Sequence, residues 1–171
     1  METLKAKIRS VPDFPKPGIL FYDITTLLRD PGGLRATVDA LAAPYQGKGV
    51  SLVVGIESRG FILGGAVADR LGAGFCPIRK PGKLPAKTLK ESFSLEYGSD
   101  AIEIHEDGVE RGQRVLIVDD VLATGGTARA ATRLVKQLGG DLVGLAFLIE
   151  LTALNGRRQL EGEDVYSVMT Y

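Results

Sequence analysis

Val115-Leu116-Ile117-Val118-Asp119-Asp120-Val121-Leu122-Ala123-Thr124-Gly125-Gly126-Thr127 decides how this chain folds. A short apolar run rich in β-branched residues reads as a strand buried on both faces, which is the habit of parallel sheets. Two carboxylates follow it, then a loop of small residues, then a helix with Ala128, Ala131, Leu134, Val135 and Leu138 along one face. Gly139 and Gly140 supply that helix's stop. Strand, turn and helix in this order make one half of a strand–helix–strand unit. In open α/β sheets the turn at a strand's carboxyl end is where ligands sit.

The same grammar recurs on both sides. Ser51 to Ile56 is another apolar run, broken by Glu57-Ser58-Arg59-Gly60 and followed by a helical stretch ending at Gly72. Phe75 to Ile78, Leu142 to Leu151 and Val165 to Met169 read as further strands. Asp30 and Pro31 are an N-cap and first helical residue, with Leu34, Val38, Leu41 and Ala42 at helical spacing behind them. Ser92 to Tyr97 and Ala101 to His105 pair as a hairpin, and residues 79–91 read as an exposed loop. Residues 10–22 carry three prolines and read as an extended, ordered segment. The expected fold class is therefore α/β: a central, mostly parallel twisted sheet flanked by helices, in a single domain spanning 1–171.

Bulk composition narrows the functional classes. Lys plus Arg and Asp plus Glu number 21 each, so the net charge is zero and no global basic excess invites a nucleic-acid backbone. Cys76 is the only cysteine, which excludes an intramolecular disulfide and suits a reducing compartment. The start lacks a secretory apolar core and no stretch approaches a membrane span. A cytoplasmic protein with neither nucleic-acid nor membrane partners is expected.

Gly125 and Gly126 let successive amides converge on one anion, the helix start adds favourable partial charge, and the Thr124 and Thr127 hydroxyls can donate to phosphate oxygens. The loop is not a Walker A, lacking Gly-Lys-Thr or Gly-Lys-Ser, nor a G-x-G-x-x-G dinucleotide turn. Asp119 and Asp120 ahead of it are placed to accept hydrogen bonds from ribose hydroxyls. In the other strand-end turn, Arg59 offers a fixed fork of donors to phosphate oxygens. Alone, that tetrapeptide is equally compatible with a surface turn. His105 and Cys76 form neither a metal site nor a nucleophile–base pair by themselves.

The 115–127 stretch resembles the motif by which type I phosphoribosyltransferases bind phosphoribosyl pyrophosphate (PRPP). The resemblance extends, for members of that family acting on adenine, over nearly the whole chain. It is carried by D-F-P-K-P-G-I-L-F at 13–21, G-I-E-S-R-G-F at 55–61, I-R-K-P-G-K-L-P at 78–85, F-S-L-E-Y-G at 93–98 and V-D-D-V-L-A-T-G-G-T at 118–127, in that order.

The resemblance implies transfer of a phosphoribosyl group to N9 of adenine, releasing pyrophosphate, with Mg²⁺ carried by PRPP and no protein-bound metal. It implies that Asp119, Asp120, Ala123, Thr124, Gly125, Gly126 and Thr127 hold the ribose and 5′-phosphate. Glu57, Ser58, Arg59, Arg79 and Lys83 would hold pyrophosphate, with a cis peptide between Glu57 and Ser58. Phe14, Ile19, Leu20 and Phe21, in a hood over 1–30, would bind the base, and Glu96 would manage its proton. Asp119, Asp120, Arg59 and Glu96 are then the catalytic set. A mobile lid over 79–91 and a homodimer are also implied. Tyr22 departs from the arginine that the pattern leads one to expect, which removes a polar contact near the base. Two other readings fit parts of the pattern: the same chemistry on hypoxanthine, xanthine or orotate, and a non-catalytic PRPP or purine sensor. The five segments speak against the first, and the neutral chain leaves the second no DNA-binding region.

Overall fold

The computed structural model describes residues 2–94 and 98–171. Its elements, in chain order, are α1 (Glu2–Lys5), β1 (Arg9–Pro12), β2 (Leu20–Asp23), α2 (Thr25–Leu28), α3 (Pro31–Ala42), β3 (Leu52–Ile56), α4 (Arg59–Leu71), β4 (Gly74–Ile78), β5 (Thr88–Ser94), β6 (Ser99–His105), β7 (Arg114–Leu122), α5 (Gly126–Gln137), β8 (Asp141–Glu150) and β9 (Val165–Thr170). A short 3₁₀ segment, Gly156–Leu160, precedes β9.

Five strands form one parallel sheet in the order β4-β3-β7-β8-β9. All five residues of β3 are buried, as the apolar run demands. One face of the sheet packs Leu116 and Val118 against Val38 and Leu41 of α3 and Leu63 and Val67 of α4. The other packs Val115 and Ile117 against Ala131, Leu134 and Val135 of α5, with Ile102 and Ile104 of β6. Helix α3 begins as expected: the Asp30 carboxylate accepts from the Gly33 amide at 2.7 Å. Helix α4 ends on Gly72 at φ 67°, the left-handed stop that glycine supplies most cheaply.

The strand order has a functional consequence. From β3 the chain crosses to β4 on one side, while β7 leads to β8 on the other. The direction of winding therefore reverses between β3 and β7, and the helices leaving these two neighbours diverge. A cleft opens outside their carboxyl ends. Both turns singled out in the sequence, 57–60 and 123–127, lie at that place.

Three boundaries differ from expectation. β7 runs on through both acids to Leu122, so Asp119 and Asp120 are strand residues. β5 begins at Thr88, inside the expected loop, because Leu89 and Phe93 pack against the α5 side of the core and pull the charged residues between them into a ladder with β6. The N-terminal segment is itself a hairpin, β1 against β2. Its loop is tightened by the Asp13 carboxylate accepting from the Gly18 amide at 2.7 Å.

Candidate active site

The carboxyl end of β7 turns into α5 through Ala123, Thr124 and Gly125. Gly125 sits at φ 86°, and a Cβ there would lie 2.3 Å from the carbonyl oxygen of Gly156. Only glycine fits, on conformational and on steric grounds. Helix α5 has no side-chain cap at its start, so its first amides carry their partial positive charge towards the cleft without an internal acceptor. A cavity of about 80 Å³ lies in the turn, lined by Asp119 and residues 121–128. Thr124 is exposed and Thr127 half-buried, and both line this cavity.

The two acids have different surroundings. Asp120 is buried and forms an ion pair with Arg59 Nε. Burial works against the guanidinium charge, but Asp120's charge and hydrogen bond outweigh it and hold Arg59 above its ordinary range. Asp119 Oδ1 accepts from the Asp120 amide at 2.9 Å. Burial first, and then the neighbouring Asp120 carboxylate, push Asp119 well above the usual carboxylate range. It also lies so close to α4 that a Cβ on Gly60 would stand 2.9 Å from its Oδ1.

The second turn carries a cis peptide between Glu57 and Ser58. Glu57 is held by the outgoing arm of the next strand. Its Oε2 accepts from the Lys80 amide at 3.0 Å and from Arg79 Nε at 3.2 Å. The Lys80 amide, with Arg79 adding to it, keeps the Glu57 carboxyl below its ordinary value. Arg79 also exchanges backbone hydrogen bonds with Glu103 and reaches the Lys83 carbonyl at 3.4 Å. Lys80 pairs with Asp100. Beyond these anchors residues 81–83 and 85–87 are exposed, and the segment returns at the Ala86 amide, which donates to His105 Nε2 at 3.3 Å. His105 thus serves as an acceptor that pins the arm. Cys76 is buried and its thiol is pushed up to about 11, which leaves it inert.

The N-terminal hairpin closes the third side. Phe14 and Phe21 meet edge to face at 5.2 Å between ring centres, and the Arg59 guanidinium lies 5.7 Å from the Phe21 ring centre. Phe14, Ile19 and Leu20 expose about half of their surface, which is unusual for residues of this size in one small loop. Tyr22 faces the other way. Its ring packs 4.0 Å from that of Tyr171, in the core under the hairpin. Arg59 therefore joins the acid of one turn to the aromatic of the hairpin. The third carboxylate of the expected set, Glu96, lies outside the described residues, as does Tyr97.

Sequence reasoning missed the floor of the turn. Gly156 backs directly onto it: a Cβ there would be 2.1 Å from the Ala123 carbonyl oxygen. Gln159 packs behind Gly125 and accepts from Arg129 Nη1 at 2.8 Å. Asn155-Gly156 could have been marked as a turn, but nothing local says which turn it would meet.

A sheet of this order, with an anion-ready helix start and an acid–arginine pair at its switch point, has close counterparts. The phosphoribosyl transferase domain matches residues 28–170, and the chain belongs to that family. An adenine phosphoribosyltransferase of Koribacter versatilis is 60% identical over 99% of this chain and 93% of its own. The crystal structure of adenine phosphoribosyltransferase from Rhodothermus marinus superimposes with a TM-score of 0.95 at 58% identity, covering 99% of this chain and 97% of that one. The Saccharomyces cerevisiae enzyme, complexed with an imino-altritol bisphosphate and adenine, gives 0.92 at 41% identity, over 98% and 97% of the two chains. Within the family, these relatives place the chain among the adenine phosphoribosyltransferases.

Proposed function

We propose that this chain transfers the phosphoribosyl group of PRPP to N9 of adenine, giving AMP and pyrophosphate, through the cleft at the β3–β7 switch point. The observation that carries the reading is the meeting of three features there. These are an uncapped helix start behind a glycine turn, the Arg59–Asp120 pair, and the exposed Phe14–Phe21 slot.

Residues 123–127 cradle the 5′-phosphate through amides and hydroxyls. Asp119 and Asp120 face the ribose, and positive charge grows at the anomeric carbon as its bond to pyrophosphate breaks. Arg59, with Glu57 and Ser58 of the cis turn, binds the departing pyrophosphate, and Arg79 and Lys83 follow as the 79–87 part of the expected lid closes and water is excluded. Phe14, Ile19, Leu20 and Phe21 hold the flat base so that N9 attacks from the opposite face. Glu96 takes the proton that the base releases. Backbone groups reading N1 and the 6-amino group discriminate against hypoxanthine, whose pattern would leave them unpaired.

Among the described residues no group of three or more His, Cys, Asp or Glu side chains is arranged to hold a metal ion. A Mg²⁺ ion would arrive on the oxygens of PRPP and water, where it would offset diphosphate charge. We place the enzyme in the cytoplasm as a homodimer, one domain per chain with residues 1–30 as a hood. No helix among the described residues is long and apolar enough to cross a membrane.

Incubation with PRPP and Mg²⁺ plus adenine, hypoxanthine, xanthine or orotate, with nucleotide and pyrophosphate measured separately, tests the reading. Only adenine is expected to yield both products at a substantial rate. Equal turnover of hypoxanthine would overturn the base assignment, and no nucleotide from any base would overturn the activity.

A further inference from the structure

Behind the phosphate turn lies a polar cluster that the reaction does not use directly. Glu150, the last residue of β8, is buried, and its carboxylate accepts three side-chain hydrogen bonds from two partners, Arg157 and Ser167. Arg157 grips it with a two-pronged fork, Nε to Oε1 at 3.0 Å and Nη2 to Oε2 at 2.6 Å. Ser167 Oγ donates to Oε2 at 2.7 Å, and Arg157 Nη1 donates to the Val165 carbonyl at 2.7 Å. The arginine thereby ties the 3₁₀ segment Gly156–Leu160 to the ends of two sheet strands. Gly156, immediately before it, is pressed onto the backbone of Ala123 and Gly125.

The geometry points to Arg157 as a positioning residue for the phosphate turn: by fixing Gly156 against Ala123 and Gly125, the Glu150–Arg157–Ser167 cluster sets the backbone from which the 5′-phosphate is bound. Several features favour this role over simple bracing of the C-terminus. A forked Arg–carboxylate pair fixes direction as well as distance. Its lever arm is a single residue, from Arg157 to Gly156. The contact it enforces is backbone against backbone, closer than any side chain would tolerate, so a small displacement of Gly156 is passed to the amides of the turn rather than absorbed by a rotamer. An anion site built from amides needs those amides held in place before the ligand arrives.

This inference rests on the assignment of residues 123–127 to the 5′-phosphate, and the experiment separates the two. Binding of ribose 5-phosphate and of adenine is measured calorimetrically for the unaltered protein and for Arg157→Ala, Arg157→Lys, Glu150→Gln and Ser167→Ala. Steady-state KM values for PRPP and adenine, and amide hydrogen exchange over 123–127, accompany them. Arg157→Ala is expected to weaken ribose 5-phosphate binding and to raise KM for PRPP by roughly 10-fold, with KM for adenine changed less than about 2-fold and faster exchange in the turn. Arg157→Lys keeps the charge but not the fork and should recover only part of the loss. Ser167→Ala should cost least. If Arg157→Ala does not fold, Glu150→Gln, which keeps the shape and one acceptor, carries the test. Unchanged ribose 5-phosphate binding in variants that fold, or equal losses for both substrates, would overturn the positioning role. Failure of the unaltered protein to bind ribose 5-phosphate would instead overturn the phosphate assignment itself.

Discussion

The 123–127 turn and the 79–87 arm are held in opposite ways. The 123–127 turn is closed from behind by Gly156 and Gln159, follows the strand that carries the buried Asp120 and runs straight into a 12-residue helix. The 79–87 arm is anchored at its root by Glu57, Glu103 and Asp100 and at its return by His105, while most residues between are exposed. In the proposed reaction the group assigned to the turn stays bound, and the group assigned to the arm leaves. A rigid cradle lowers the ordering cost of binding the part that stays, whereas an arm held only at its ends can open for the part that goes. The contrast is built from backbone contact on one side and from exposed lysine on the other.

The harshest way to break the comparison is Gly125→Ala. The new methyl group meets both a left-handed backbone and the Gly156 carbonyl, and a destabilisation of about 2–4 kcal/mol is expected, with ribose 5-phosphate binding lost in any fraction that folds. Chemical denaturation and calorimetry measure both; a neutral result would mean the cradle is not rigid. A gentler change is Lys83→Ala in the arm. Stability should move by less than about 0.5 kcal/mol, since the side chain is exposed. KM for PRPP should rise a few-fold at low salt and converge on the unaltered value at high salt, as expected of a screened charge. Salt-independent loss would place Lys83 in a structural role.

The smallest effect sharpens the comparison through pH. Glu57, at the arm's root, holds its proton more weakly than its ordinary value of 4.5, chiefly through the Lys80 amide. A lowered carboxyl contributes stability that is present above about 4.5 and lost as pH falls through its folded value. Asp119, at the cradle, is raised instead, so the folded state binds its proton more tightly and its contribution favours acid and fades as pH rises. The melting-temperature advantage of the unaltered protein over Glu57→Gln should therefore shrink below about pH 4.5, while its melting temperature relative to Asp119→Asn should rise as pH falls. Parallel behaviour of the two gaps would contradict the opposite environments.

How much of this was readable beforehand follows the range of the interactions. The buried strands, the Asp30 cap and the glycine turn are local patterns, and each stands where the sequence puts it. Strand β5 was hidden because Lys90 and Glu91 give residues 88–91 the composition of a loop, and only contact of Leu89 with a distant core makes them a ladder. Asp119 and Asp120 lie within β7 because β8 continues alongside them, which no residue near 119 announces. The partners of Tyr22 and of the phosphate turn, Tyr171 and Gly156, are fixed only when the sheet is assembled. The donors of Arg59 are legible locally, but its carboxylate partner and its aromatic neighbour come from two other elements.

The direct pairing of β3 with β7, which runs in step as far as Gly55 beside Val118, has one further result. The spacing of adjacent strands is set by main-chain hydrogen bonds at about 4.8 Å and scarcely responds to side-chain identity. The offset between the 57–60 and 123–127 turns is thus a constant of sheet chemistry, and under the proposed function it would be gauged to one sugar. Base preference and lid charge can drift by substitution, but that gauge changes only if a whole strand slips.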